Sequence, residues 1–253
     1  MSKIVLITGA TAGIGEACAH TFARENYNLV LTGRRADRLE ELSGKLKAQY
    51  GVEVMQLVFD VTDREAVVSQ LESLPSHWKK VNILINNAGL SKGLDPIQTG
   101  LYDDWDTMID TNVKGLLYVS KIVANWMIPN NSGHIINMGS IAGKEIYANG
   151  NVYCATKAAV DFLSKGMRVD LLPYNIKVTA IHPGAVETEF SMIRFKGDEA
   201  RAKKVYEGLV PLVAEDIAET VWFTASRPAH VNINELIITP TRQANATVFN
   251  RKV

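Results

Sequence analysis

The chain has 253 residues, 47% of them hydrophobic and 21% charged, with 27 Lys and Arg balanced by 27 Asp and Glu. Zero formal net charge lacks the basic surface on which phosphate-backbone binding rests, so no nucleic-acid partner is expected. No apolar run approaches the about 18 residues of a membrane span, so no membrane partner is expected either.

The apolar stretch after Met1-Ser2-Lys3 ends at Gly9, too short for a secretion signal, and a cytoplasmic location follows as the expectation. Cys18 and Cys154 have neither metal-ligand spacing nor the numbers of a disulfide framework. Both lie in Ala-rich helical surroundings and read as small buried side chains.

Short β-branched runs alternate with helical patterns along the chain. Lys3–Thr8 reads as a strand, Gly13–Glu25 as a helix, Asn28–Thr32 as a strand and Asp37–Gln49 as a helix. Val52–Val58 is a strand, Asp63–Ser73 a helix, and Val81–Asn86 and His134–Met138 are strands. Long helical patterns cover Asp103–Met127 and Asn151–Leu172, and Ile176–Ile181 and Glu235–Thr239 complete the strands. About seven strands alternating with helices predict a single-domain Rossmann-type α/β fold, a doubly wound parallel sheet with helices on both faces. No repeat or linker divides residues 1–253.

Thr8-Gly9-Ala10-Thr11-Ala12-Gly13-Ile14-Gly15 lies between the first strand and the first helix. Gly9 permits a tight turn, Gly13 close approach by a ligand, and Gly15 close packing of helix on strand. A structural turn and a pyrophosphate cradle both fit such a sequence. Its position in a βαβ unit favours the cradle, where helix N–H groups meet the anion. The spacing is G-x-x-x-G-x-G rather than the usual G-x-G-x-x-G.

The second strand runs into Thr32-Gly33-Arg34-Arg35, with no carboxylate before Asp37. Two arginines at a helix N-terminus oppose the helix dipole. A 2′-phosphate would account for them through charge-assisted hydrogen bonds; two solvated surface arginines are the alternative. The expected cofactor is therefore NADP.

Tyr153-Cys154-Ala155-Thr156-Lys157 places a phenol and an ammonium four residues apart, on one helix face. A phenol with a pKa of about 10 is a poor base at neutral pH. A cation about 5 Å away, at an effective dielectric of about 20, is worth about 3 kcal/mol, or about 2 pKa units downward.

Ser140 follows the fifth strand, Asn86-Asn87-Ala88-Gly89 closes the fourth, Asn112 sits in Thr111-Asn112-Val113, and Pro183-Gly184 follows the sixth. With the glycine turn and the Tyr-Lys pair, these motifs resemble the short-chain dehydrogenase/reductase family over essentially the whole chain. The resemblance implies that Tyr153 is the general acid/base and that Ser140 holds the substrate oxygen. Lys157 would bind the nicotinamide ribose and lower the tyrosine pKa, and Asn112 would hold a water in a proton relay. Cofactor contacts implied are Gly9, Thr11, Gly13, Ile14, Gly15, Arg34, Arg35, the Asp60-Val61 pair, Asn86, Asn87, Ala88, Gly89, Pro183, Gly184, Val186 and Thr188. No metal is implied.

Phe190 to Asp198 and Pro228 to Asn234 further resemble NADP-dependent 3-hydroxy acid dehydrogenases, which act on serine, L-allo-threonine and related acids and form tetramers. The helices Asp103–Met127 and Asn151–Leu172, and the segment Asn232–Val253, would form the contacts of a homotetramer. Glu235 and Thr239 depart from the expected outline, which leaves substrate preference less defined than reaction class. A carbonyl reductase of a ketone, sugar or oxo-lipid is the alternative, and a non-catalytic NADP-binding sensor a distant one.

The stretch Glu189–Gly208 mixes Phe190, Met192, Ile193 and Phe195 with Arg194 and Lys196. Such a composition suits a substrate lid at about residues 187–210, with Arg194 offered to a carboxylate; a solvated helical insertion is the alternative.

Overall fold

Ile4, Val5, Leu6 and Ile7 form a strand, β1, in which every residue is buried. Alternate side chains leave a strand on opposite faces. Val5 and Ile7 accordingly enter one core and Ile4 and Leu6 a second. A strand buried on both faces needs a layer of helices on each side.

The structure, a computed structural model, describes residues 3–252. The Met1-Ser2 part of the N-terminal reading and Val253 lie outside the described residues. After β1 come α1 (Gly13–Arg24), β2 (Asn28–Gly33), α2 (Ala36–Tyr50), β3 (Val54–Val58), α3 (Arg64–Glu72) and β4 (Ile83–Asn86). Then follow α4 (Tyr102–Ile109), α5 (Leu116–Met127), β5 (Gly133–Met138), α6 (Asn151–Leu171) and β6 (Ile176–Pro183). Last are α7 (Phe190–Arg194), α8 (Glu199–Lys204), α9 (Ala214–Ala225) and β7 (Glu235–Ile238).

The seven strands pair in parallel in the order β3-β2-β1-β4-β5-β6-β7, a doubly wound Rossmann-type sheet. Phe22 of α1, Leu39 and Leu46 of α2 and Val221 of α9 pack on one face. Leu71 of α3, Val123 and Met127 of α5 and Leu171 of α6 pack on the other. The chain winds outward from β1 to β3 and then returns to β4 beside β1. That reversal opens a crevice at the carboxyl ends of the strands, where ligands of such sheets bind.

Two features differ from the sequence expectation. The helix expected over Asp103–Met127 is interrupted by a π-helical turn, Asp110–Gly115. Asn112 in this turn donates from Nδ2 to the Leu90 carbonyl and accepts at Oδ1 from the Leu90 amide, both at 2.8 Å. A widened turn that aims one side chain at a distant backbone is a common use of π geometry. The helix α9 is not among the elements expected; Asp216 starts it by accepting from the Val213 amide at 2.9 Å. No helix among the described residues is long and apolar enough to cross a membrane.

Candidate active site

The glycine turn leaves β1 with Gly9 at φ +65° and Gly13 at φ +55°, backbone conformations that favour glycine. Asn87 fastens the turn, donating from Nδ2 to the carbonyls of Thr8 and Gly9 at 3.0 and 3.1 Å. Ala12, the N-cap of α1, offers no side-chain acceptor, so the first turn of α1 keeps its N–H groups for a ligand. A cleft of about 740 Å³ opens beside this turn. Gly9, Thr11, Gly13, Ile14, Arg34, Arg35, Asp60, Val61, Asn87, Ala88 and Gly89 line it. So do Ser140, Tyr153, Lys157, Pro183, Gly184, Val186, Thr188 and Arg194.

Three expected residues lie elsewhere. Gly15 packs beneath the turn, where a Cβ would stand 2.3 Å from the Gly9 carbonyl oxygen, and it does not line the cleft. Asn86 is buried and donates to Ser120 and Asn137, both at 2.8 Å, joining β4 to α5 and β5. Asn112 is also buried away from the cleft wall. Besides Leu90 it donates to Thr156 Oγ1 at 3.0 Å, and Thr156 donates to the Tyr153 carbonyl at 2.8 Å. Asn112 thus ties the π turn to the backbone of Tyr153.

At the β2 end, Arg34 meets Asp60 at 3.2 Å, and Asp60 also accepts from the Thr62 amide and hydroxyl at 2.9 Å. Arg35 donates from Nε and Nη2 to Thr11 Oγ1 at 3.1 and 2.8 Å, and reaches Glu189 at 3.0 Å. Arg38 meets the other Glu189 oxygen at 2.7 Å. The arginines therefore have partners within the chain. These pairs are half-exposed and weak, so a doubly charged phosphate can redirect them at small cost. Glycine cradle, uncapped helix and adjacent arginines fit a dinucleotide carrying a 2′-phosphate.

Tyr153 and Lys157 project from successive turns of α6, and both are buried. Lys157 Nζ donates to the Met138 carbonyl at 2.8 Å and lies 6.0 Å from the Tyr153 ring centroid. A Cβ at Gly89 would stand 3.3 Å from that Nζ, so glycine there leaves room for the ammonium. Burial pushes the Lys157 pKa down to about 8. It pushes the Tyr153 phenol up, with Tyr147 adding to the rise while Ser140 and Arg194 oppose it. The expected lowering of the phenol by Lys157 is therefore corrected: desolvation raises it, and the groups that oppose the rise are Ser140 and Arg194. Ser140 caps a 3-10 turn, Ile141–Gly143, its Oγ accepting from the Ala142 amide at 3.1 Å.

Arg194 ends α7 and enters the cleft from the segment after β6. Its Nη2 donates to the Tyr147 hydroxyl at 2.6 Å, and its guanidinium carbon lies 5.7 Å from the Tyr153 ring centroid. Arg194 Nε is buried and has no hydrogen-bond partner. Lys196 instead pairs with the buried Asp104 at 2.7 Å, and the Gly93 amide donates to the Arg194 carbonyl at 3.0 Å. Both contacts hold this segment over the cleft.

Sequence reasoning missed Tyr147, Gln243 and Phe249, which also line the cleft, together with Glu189, Phe190 and Tyr206 of the expected lid segment. Gln243 accepts from the Ala185 amide at 2.8 Å, which brings the C-terminal segment to Pro183-Gly184. Tyr147 lay within six residues of Tyr153, a proximity that marks the loop but not its direction.

The family model described as short chain dehydrogenase matches residues 3–199. NADP-dependent 3-hydroxy acid dehydrogenase YdfG of Escherichia coli strain K12 is 47% identical, over 96% of this chain and 97% of that protein. Sulfoacetaldehyde reductase 2 of Chromohalobacter salexigens is 46% identical, over 96% of each. A serine dehydrogenase solved in closed form with NADP+ superposes with a TM-score of 0.91 at 46% identity, covering 99% of this chain and all of that one. With the site's geometry and these matches together, the chain belongs to the short-chain dehydrogenase family.

Proposed function

We propose that this protein is an NADP-dependent oxidoreductase that transfers a hydride between NADP(H) and the hydroxyl or carbonyl carbon of a small 3-hydroxy acid of the serine, allo-threonine or 3-hydroxypropionate type. The observation that carries the substrate reading is Arg194: a guanidinium beside Tyr153 with a buried Nε that has no partner. Arg194 lines the cleft with an N–H that no acceptor of the chain takes, and a carboxylate spans two guanidinium N–H groups.

In this reading the cofactor, when bound, supplies or accepts the hydride. The rest is done by side chains of the chain. Tyr153 moves the proton at the substrate oxygen, and Ser140 holds that oxygen. Lys157, a buried cation at neutral pH, favours the phenolate and binds the ribose. Asn112 steadies Tyr153 through Thr156 and ties the π turn to Leu90; a relay water would sit beside that turn. Residues 187–210 act as the lid that brings in Arg194 and excludes water.

A second reading has a specific basis. A sulfonate satisfies the same guanidinium, and a sulfoacetaldehyde reductase stands among the relatives. Turnover followed by reduced-nicotinamide absorbance, with NADP and NAD, would cover hydroxy acids, sulfonate aldehydes, uncharged ketones and sugars. Turnover confined to uncharged substrates would overturn the anion reading in favour of a carbonyl reductase; no turnover would favour an NADP-binding sensor.

The same proposal includes a cytoplasmic homotetramer. Phe162, Val169 and Leu172, on α6 and the turn after it, and Ile109 and Leu117, beside the π turn, are exposed apolar side chains. Such stripes are the surface expected of helices that pair with copies of themselves.

A further inference from the structure

Tyr153, Lys157 and Asp161 follow one another at four-residue intervals along α6, so Asp161 lies on the catalytic face one turn further on. Its carboxylate is buried, with Oδ1 2.9 Å from Lys144 Nζ and Oδ2 2.9 Å from Lys165 Nζ. Lys144 follows the 3-10 turn that Ser140 opens, and it also meets Glu235 of β7 at 2.7 Å. His182 of β6 completes the group. Its fully buried ring places Nε2 3.6 Å from Asp161 Oδ1 and Nδ1 3.2 Å from the Ser140 carbonyl oxygen.

A carbonyl only accepts, so Nδ1 is the protonated nitrogen in this contact. Burial, with Lys144 adding, holds the His182 pKa below its usual value, which keeps the ring neutral. A Cβ at Gly139 would stand 2.5 Å from His182 Nδ1, so glycine at that position is what admits the ring to Ser140.

Asp161, His182 and Glu235 bring their ligand atoms within 4.8 Å of one another, a spacing that could hold a metal ion. The Lys144 ammonium already lies against both carboxylates, so the cation of this cluster belongs to the chain. Two carboxylates are matched by Lys144 and Lys165, and none of these side chains lines the cleft. The cluster's contact with the reaction passes through Ser140.

We propose that His182, together with Lys144 held by Asp161 and Glu235, is a positioning residue that fixes the Ser140 loop against the Tyr153–Lys157 face of α6. The loop is held at three points: the Gly139 amide donates to the Ile181 carbonyl at 2.7 Å, His182 anchors the Ser140 carbonyl, and Lys144 ties the far end to α6 and β7. Turning the Ser140 peptide would swing its hydroxyl, and the middle anchor opposes that turn. The inference rests on the reading of Ser140 as the residue that holds the substrate oxygen. It also gives a partner to Glu235, one of the two positions that depart from the family outline.

The test is a double-mutant cycle on the fastest substrate of the panel above. His182→Leu keeps volume and removes the donor; it should lower kcat about 10-fold with KM changed less than about 3-fold and NADP+ affinity unchanged. His182→Asn restores an N–H near Nδ1 and should recover most of the loss. In a Ser140→Ala background, His182→Leu should cost less than about 2-fold, because the residue acts through Ser140. Equal losses in both backgrounds, or wild-type kcat in His182→Leu beside a crippled Ser140→Ala, overturn the network alone. Wild-type kcat in Ser140→Ala overturns the reading of the site itself.

Amide exchange across residues 139–145 gives a readout independent of substrate. It should rise about 10-fold in His182→Leu and return in His182→Asn; unchanged exchange overturns the proposal. If His182→Leu does not fold, Lys144→Met, at the rim of the cluster, should raise the same exchange, and its failure to do so counts equally against the network.

Discussion

Arg194 donates to the Tyr147 hydroxyl at 2.6 Å, a single bond that joins the segment after β6 to the loop after Ser140. The guanidinium is thereby held beside the Tyr153 ring, its buried Nε without a hydrogen-bond partner.

Arg194→Ala should raise KM for a 3-hydroxy acid about 10- to 100-fold, the size of a lost charged hydrogen bond, while an uncharged alcohol of similar size changes little. Tyr147→Phe should raise it less, since only the orienting bond is lost. Steady-state kinetics on paired charged and uncharged substrates decide this. Equal losses for both would make Arg194 a shaping residue of the lid.

Arg34→Asp should weaken NADP+ binding about 10-fold or more beyond any effect on NAD+. The change also sets a second carboxylate against Asp60, now 3.2 Å from the Arg34 guanidinium. Fluorescence titration with both cofactors measures it, and parallel losses would remove Arg34 from the phosphate site.

Tyr153→Phe should abolish measurable turnover while NADP+ affinity stays within about 3-fold, because only the phenolic oxygen is lost. Substantial residual activity would mean that another group carries the proton.

Lys157 gives a stability prediction with a definite sign. Its folded pKa of about 8 lies below the unfolded lysine value, so the folded state binds the proton less tightly. The penalty for burying the cation, about 3 kcal/mol, is fully present below about pH 8 and fades as pH rises to about 10.5. Lys157→Met should therefore be inactive yet more stable near pH 7, with the gap to wild type narrowing above about pH 8. Urea denaturation across that range checks it; a gap that widens with pH would contradict the assigned shift.

Phe162→Glu with Val169→Glu should turn a homotetramer into smaller species, because both exposed side chains lie on one stripe of α6. Light scattering reads the mass. A wild-type protein that is already monomeric at micromolar concentration would refute the assembly.

Features that depend on neighbours along the chain are legible in the residues alone. Tyr153 and Lys157 share a face because four residues make about one helical turn, and Gly9 and Gly13 mark a turn because positive φ suits glycine. The buried strands were legible because runs such as Ile4–Ile7 contain no polar residue. Contacts between distant segments set the remainder. The π turn at Asn112 answers to Leu90, 22 positions away, and Arg194 is aimed by Tyr147, 47 positions away. His182 meets the Ser140 carbonyl across 42 positions. The rise of the Tyr153 pKa is not legible in the sequence for the same reason: helical spacing places Lys157 on the same face, but desolvation comes from how completely the folded chain surrounds the phenol.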